Sequence, residues 1–105
     1  VLQIRMQKMI GFIQEHYAED VSLQDIANAA SISRSEASRC FQSYLHTSPV
    51  NYLLKYRVER SMQLLRDGNM TVEAVALECG FSSSAYFCKL FRSHTGMTPK
   101  QYRSK

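Results

Sequence analysis

The chain has 105 residues, 45% of them apolar and 21% charged, which is enough for one small globular domain with a modest core. Thirteen Lys and Arg against nine Asp and Glu give a net charge of +4 and an isoelectric point near 9.1, a balance that favours acidic partners such as nucleic acid. No apolar run approaches the roughly 18 residues of a membrane span, so no membrane partner is expected, and Cys40, Cys79 and Cys88 fit neither a disulfide framework nor a zinc motif.

A reduced, cytoplasmic setting follows from that cysteine usage. The chain opens on Val1 rather than Met, which suggests a fragment of something longer. No segment alternates apolar and polar residues for long enough to read as a strand, and four glycines and two prolines leave long windows open to helix. The expected class is all-α.

In chain order, Met6, Ile10, Ile13 and Tyr17 step by four, three and four, as on the buried face of a helix that closes at Ala18 to Val21. Ser22 is placed to cap a second, short helix, with Asp25 in its first turn and Leu23, Ile26, Ala27 and Ala30 on one face. Ser33 caps a third, whose inward residues would be Ala37, Cys40, Phe41 and Tyr44. In the stretch "TSPVNY", Ser48 caps and Pro49 fits the first helical position, where its missing N–H is no loss. That helix runs to about Arg66, with Val50, Leu53, Leu54, Val58, Met62 and Leu65 on one side, and "DGN" at Asp67 to Asn69 stops it. At ~1.5 Å per residue it spans about 27 Å. Thr71 then caps another short helix carrying Val72, Val75, Ala76 and Cys79, Ser82 caps the next, and Thr98 with Pro99 starts the last in "MTPKQY".

The chain therefore contains a repeat. Ser22 to Ile32 lie on Thr71 to Phe81 at an offset of 49, and Arg34 to Tyr52 lie on Ser84 to Tyr102 at an offset of 50. Each copy is short helix, tight turn, longer helix, which is a helix-turn-helix. Ala27 and Ala76 are small where the two helices must approach closely, and Gly80 supplies the positive φ of the turn. Ser31 takes its place in the first copy at a penalty of about 1 kcal/mol. The expected division is a first helix-turn-helix at 1–47, a connecting helix at 48–67 and a second helix-turn-helix at 68–105.

The faces turned away from the core are then Arg34, Ser35, Ser38, Arg39 and Gln42 in the first copy. In the second they are Ser84, Ala85, Cys88, Lys89 and Arg92, with Phe87, Leu90, Phe91 and His94 inward. Neither strip holds a carboxylate, and Glu36 on a flank is the acid nearest to them. Small residues let a helix approach the floor of the major groove, Arg can pair with guanine, and Lys or Arg can hold phosphate. Charge along the chain is segregated in the same sense. Glu15 to Glu36 contains five acids and Arg34 alone as a cation, whereas Gly80 to Lys105 contains five cations and no acid.

The segments "SLQDIANAASISRSEASRCF", "TSPVNYLLKYRVERSMQLL" and above all "TVEAVALECGFSSSAYFCKLFRSHTGMTPKQYR" resemble the C-terminal DNA-binding domain of the AraC/XylS family of bacterial transcription regulators. The likeness runs from about Met6 to Arg103. It implies a homeodomain-like tandem of about seven helices, with two recognition helices entering successive major grooves of double-stranded promoter or operator DNA. It also implies base contacts from Ser35, Ser38 and Arg39 in the first unit and from Ser84, Ala85, Cys88 and Lys89 in the second. Ala85 and Cys88 depart from the more polar residues often found there, so a grip on phosphate stands beside base readout for the second unit. RNA polymerase is a further implied partner, and an effector or dimerisation domain would lie N-terminal to this chain.

Phe41, Tyr52, Phe81, Phe91 and Tyr102 are expected in the core, and the five methionines as gap-fillers. Arg57 and Glu59 are read as structural or phosphate-side charges. His16, His46 and His94 lack metal-ligand spacing, no nucleophile-base-orienter set occurs, and neither cofactor nor catalysis is expected. A nonspecific architectural DNA binder and a helical protein-interaction domain are the alternatives.

Overall fold

The computed structural model describes residues 3–104; Val1, Leu2 and Lys105, the last of them one of the five C-terminal cations, lie outside the described residues. Among the described residues there are seven helices and no strand: α1 (Ile4–His16), α2 (Leu23–Ala29), α3 (Arg34–Leu45), α4 (Pro49–Asp67), α5 (Val72–Glu78), α6 (Ser84–Thr95) and α7 (Pro99–Arg103). This is the all-α class implied by the absence of alternating patterns. The chain divides into two compact units, Val1–Leu54 and Lys55–Lys105, and the division falls inside α4.

In the first unit, α1 buries Met6, Met9 and Ile13 completely, against Ile26 and Ala27 of α2 and Ala37 and Phe41 of α3. The stripe differs from the expected one. Met9 takes the place given to Ile10, which is half-buried, and Tyr17 is the residue just past the helix end. Steps of three and four from Met6 through Met9 to Ile13 satisfy helical periodicity equally well, and the unbranched thioether fills the seam between α1 and its neighbours.

In the second unit the core comprises Val58 and Leu65 of α4 with Val75, Ala76, Cys79, Phe81, Phe87 and Phe91. The buried ring pairs Phe81–Phe87 and Phe87–Phe91 have centroids 5.0 and 5.7 Å apart. Ser61 is also buried and donates its hydroxyl to the Val58 carbonyl at 2.6 Å, which satisfies it inside the core.

Burial extends the repeat to the scaffold helices. Met6, Met9 and Ile13 of α1 correspond to Val58, Ser61 and Leu65 of α4 at an offset of 52, and each triplet is buried. The start of α4 in turn does for the first unit what α7 does for the second. Pro49 and Pro99 are fully buried, and Tyr52 and Tyr102 each meet a phenylalanine edge-on, Phe41 and Phe91 respectively, with centroids 5.6 Å apart in both cases. So α4 closes one unit with its first turn and forms the floor of the other with its remainder. Val50, expected on the buried side, is 40% exposed, because Pro49 and Leu53 already face the first core at this end.

Both prolines stand at helix starts capped by a hydroxyl: Ser48 accepts from Asn51 N at 3.0 Å and Thr98 from Gln101 N at 3.1 Å. Ser22 and Asp25 form a full capping box, in which Asp25 N donates to Ser22 Oγ at 3.1 Å and Ser22 N donates to Asp25 Oδ2 at 2.9 Å; the Ser22 backbone N–H, and next its side chain, hold the Asp25 carboxyl below its ordinary pKa. The cap of α6 is Ser83, which accepts from Tyr86 N at 3.1 Å, and not Ser82, which lies exposed ahead of the helix. The inserted residue thus precedes the cap, and the offset of 50 from Ser33 holds at Ser83.

The turns repeat as well. Ile32 N donates to Ala27 O at 3.1 Å and Phe81 N to Ala76 O at 3.0 Å, with Ser31 at φ 56° and Gly80 at φ 91°. Left-handed backbone at Ser31 carries a steric penalty that glycine avoids. Ser31→Gly should therefore raise unfolding free energy by up to about 1 kcal/mol in urea titrations, the relief outweighing glycine's greater freedom in the unfolded chain. A loss of stability would contradict that account.

Candidate nucleic-acid interface

Burial of Ala37 and Phe41 on α3 fixes which side of this 12-residue helix meets the core, and Phe87 and Phe91 do the same for α6. The remaining face of α3 presents Arg34, Ser35, Arg39 and Gln42 to solvent, with Ser38 half-buried. On α6, Ala85, Lys89 and Arg92 are exposed while Ser84 and Cys88 are half-buried. Seven of the ten residues singled out from the repeat are thus exposed, and Ser38, Ser84 and Cys88 are half-buried.

The inward sets are narrower than expected. Cys40 and Leu90 are half-buried, Tyr44 is 40% exposed and His94 is exposed. For Tyr44 and His94 the cause is length: α2 and α5 have seven residues each, roughly 10 Å, and cannot cover the last turn of a partner about 18 Å long. His94 instead lines an open groove in the second unit with Lys55, Glu59 and Met97.

Arg34, Arg39, Lys89 and Arg92 make no ion pair with any described residue, so their charges are available to an external anion. Glu36 is not available in that sense, since its carboxylate accepts a charge-assisted hydrogen bond from Arg5 Nη1 of α1 at 3.2 Å. In the second unit, Cys88, Lys89 and Arg92 share a shallow depression with Ser93 and Thr98, the cap of α7. Sequence reasoning did not connect Ser93 and Thr98 to this strip. Their offset of 50 from Ser43 and Ser48 was the available signal. Tyr86, 45% exposed at the start of α6 with its ring edge-on to Phe81, was likewise passed over because its counterpart is Glu36.

Other groups fall outside these two strips. Arg57 is 9% exposed and lies 6.0 Å over the Phe81 ring, a structural cation, whereas Glu59 is exposed. Cys79 is buried, and burial pushes its thiol up to about 11, so it packs rather than reacts. Among the described residues no group of three or more His, Cys, Asp or Glu is arranged to hold a metal ion, and no helix is long and apolar enough to cross a membrane.

The geometry has relatives. A helix-turn-helix domain family profile matches residues 26–105. An AraC-type DNA-binding domain-containing transcriptional regulator from Chromobacterium violaceum superposes with a TM-score of 0.90 at 32% identity, covering 95% of this chain and 89% of that one. The DNA-binding domain of AdpA, a global transcriptional factor solved with a target DNA, superposes at 0.91 with 28% identity, covering 97% and 92%. By sequence, the HTH-type transcriptional regulators YdeC of Bacillus subtilis, itself uncharacterized, and GbdR of Pseudomonas aeruginosa are 38% and 36% identical over 94% and 96% of this chain. The chain spans only 34% and 28% of those two proteins' lengths.

Proposed function

This chain belongs to the AraC-type helix-turn-helix family of DNA-binding domains found in bacterial transcriptional regulators, and from that premise we propose that it reads one asymmetric duplex site with α3 and α6 in successive major grooves. It is a DNA-binding domain and not an enzyme. In this reading Ser35, Ser38 and Arg39 contact bases, Arg34 and Gln42 flank them, and Ser84, Ala85, Cys88 and Lys89 form the second reader with Arg92 on phosphate. The observation that carries it is the duplicated face: two helices at one repeat offset, each turning small residues and unpaired cations away from its core.

The two readers are unequal. Arg39 offers two parallel donors to a guanine edge, whereas Ala85 and Cys88 offer little to a base, so the second unit holds backbone more than it discriminates. The α4 helix, roughly 28 Å long at 19 residues, falls short of the ~34 Å pitch of DNA, and side-chain reach or duplex bending makes up the difference. The whole regulator works in the cytoplasm, with an effector or dimerisation domain in the length that this chain does not span and RNA polymerase as a partner.

Selection from a random duplex pool tests the reading and should return an asymmetric motif. On that motif, Arg39→Ala should weaken binding by about 1–3 kcal/mol and abolish the preference at one base pair. Arg92→Ala should weaken binding to every sequence alike and flatten the salt dependence by about one unit of slope. An Arg39→Ala protein that lost affinity equally on every duplex would reassign Arg39 to phosphate.

A further inference from the structure

We infer that Arg5, on α1 and outside the DNA-facing strip, is a positioning residue that occupies Glu36 and so keeps Arg39 free to read DNA. The inference rests on the function proposed above. Glu36 and Arg39 stand three residues apart on α3, the spacing at which a carboxylate and a guanidinium meet on a helix surface. Left alone, Glu36 would pair with the cation assigned to base contact, and DNA would have to break that pair before binding.

The observed partner is different. Glu36 Oε2 receives Arg5 Nη1 at 3.2 Å across 31 residues of chain, and Arg39 has no ion pair with any described residue. Glu36 is also the acid closest to the strip, so an unneutralised charge there would repel phosphate as well. The second unit has no such need, because Tyr86 stands at the equivalent position and α6 carries no acid. Arg5 thus compensates for the one carboxylate on the first recognition helix.

A double-mutant cycle on the selected duplex, read by fluorescence anisotropy in low salt, tests this. Arg5→Ala should weaken binding about two- to fivefold, the range expected for exposed charge pairs, and should blunt discrimination at the Arg39 base pair. Glu36→Gln should bind as tightly as the parent or more so, and adding Arg5→Ala to it should change nothing further. Arg5→Lys should restore most of the affinity. An equal loss on removing Arg5 with or without Glu36 would overturn the inference, since Arg5 would then touch phosphate itself or serve the fold. So would an Arg5→Ala protein with parental affinity and discrimination. Glu36→Gln reports independently should any Arg5 variant fail to fold, and a marked loss of affinity in it also overturns the inference. A parent chain without sequence preference would instead refute the function on which the inference rests.

Discussion

Five base pairs inserted between the two half-sites of the selected duplex should lower affinity by about tenfold or more, and ten should not restore it, because five carry the second half-site to the opposite face and ten carry it about 34 Å farther along the axis than readers joined by α4 can reach. In the proposed reading α3 and α6 are joined through α4, which runs unbroken from Pro49 to Asp67 with no glycine inside it and its one proline at the first helical position. On that reading the two readers keep one spacing and neither follows a rotated half-site. The protein should then hold the altered duplex through one unit only, with a shallower salt dependence than on the parent site. Electrophoretic or anisotropy titrations against the three duplexes decide it. Unchanged affinity for the half-turn insertion would show that the readers engage DNA independently.

Phe41→Ala should lower unfolding free energy by about 3–5 kcal/mol, with a similar loss for Phe91→Ala, in urea titrations followed by circular dichroism. Phe41 is fully buried and edge-on to Tyr52, and it is the largest side chain fixing α3 to the rest of its unit. Few other large groups share that core: Met6, Met9, Ile13 and Ile26 surround it, and two of those are flexible thioethers. A domain of this size holds roughly 5–15 kcal/mol in all, so the substitution removes a large share of it and α3 loses its fixed orientation. A loss below about 1 kcal/mol would mean that the aromatic pair does not anchor the recognition helix.

Much of this was legible in the residues. The two proline hexapeptides marked helix starts because Ser48 and Thr98 can each accept from a backbone N–H while a proline beside them has none to lose. The duplicated turn was legible because Gly80 and small Ala76 have few other uses side by side with a cap. The ten strip residues follow from subtracting the inward residues of each copy; seven of them are exposed, and Ser38, Ser84 and Cys88 are half-buried.

What escaped depended on neighbours that a single helix does not announce. Met9 displaced Ile10 because periodicity admits either, and only the surface across the seam chooses between them. The uncovered last turns at Tyr44 and His94 reflect how short α2 and α5 are, a property of the partner helix. His46 at φ 56°, equivalent to Gly96 at φ 83°, gave no sign of its left-handed backbone. The Arg5–Glu36 pair bridges 31 residues of chain and could be predicted from neither helix alone.

The most direct test of sequence-specific binding is competition at fixed, near-physiological salt between the selected duplex and random-sequence duplex for the same protein. Random duplex should have to be added in about a thousandfold excess or more to displace half of the bound site, with a steep inverse dependence of affinity on salt. Equal competition by the two would make the chain a nonspecific DNA binder, and no salt-dependent binding to either would return it to the class of helical protein-interaction domains.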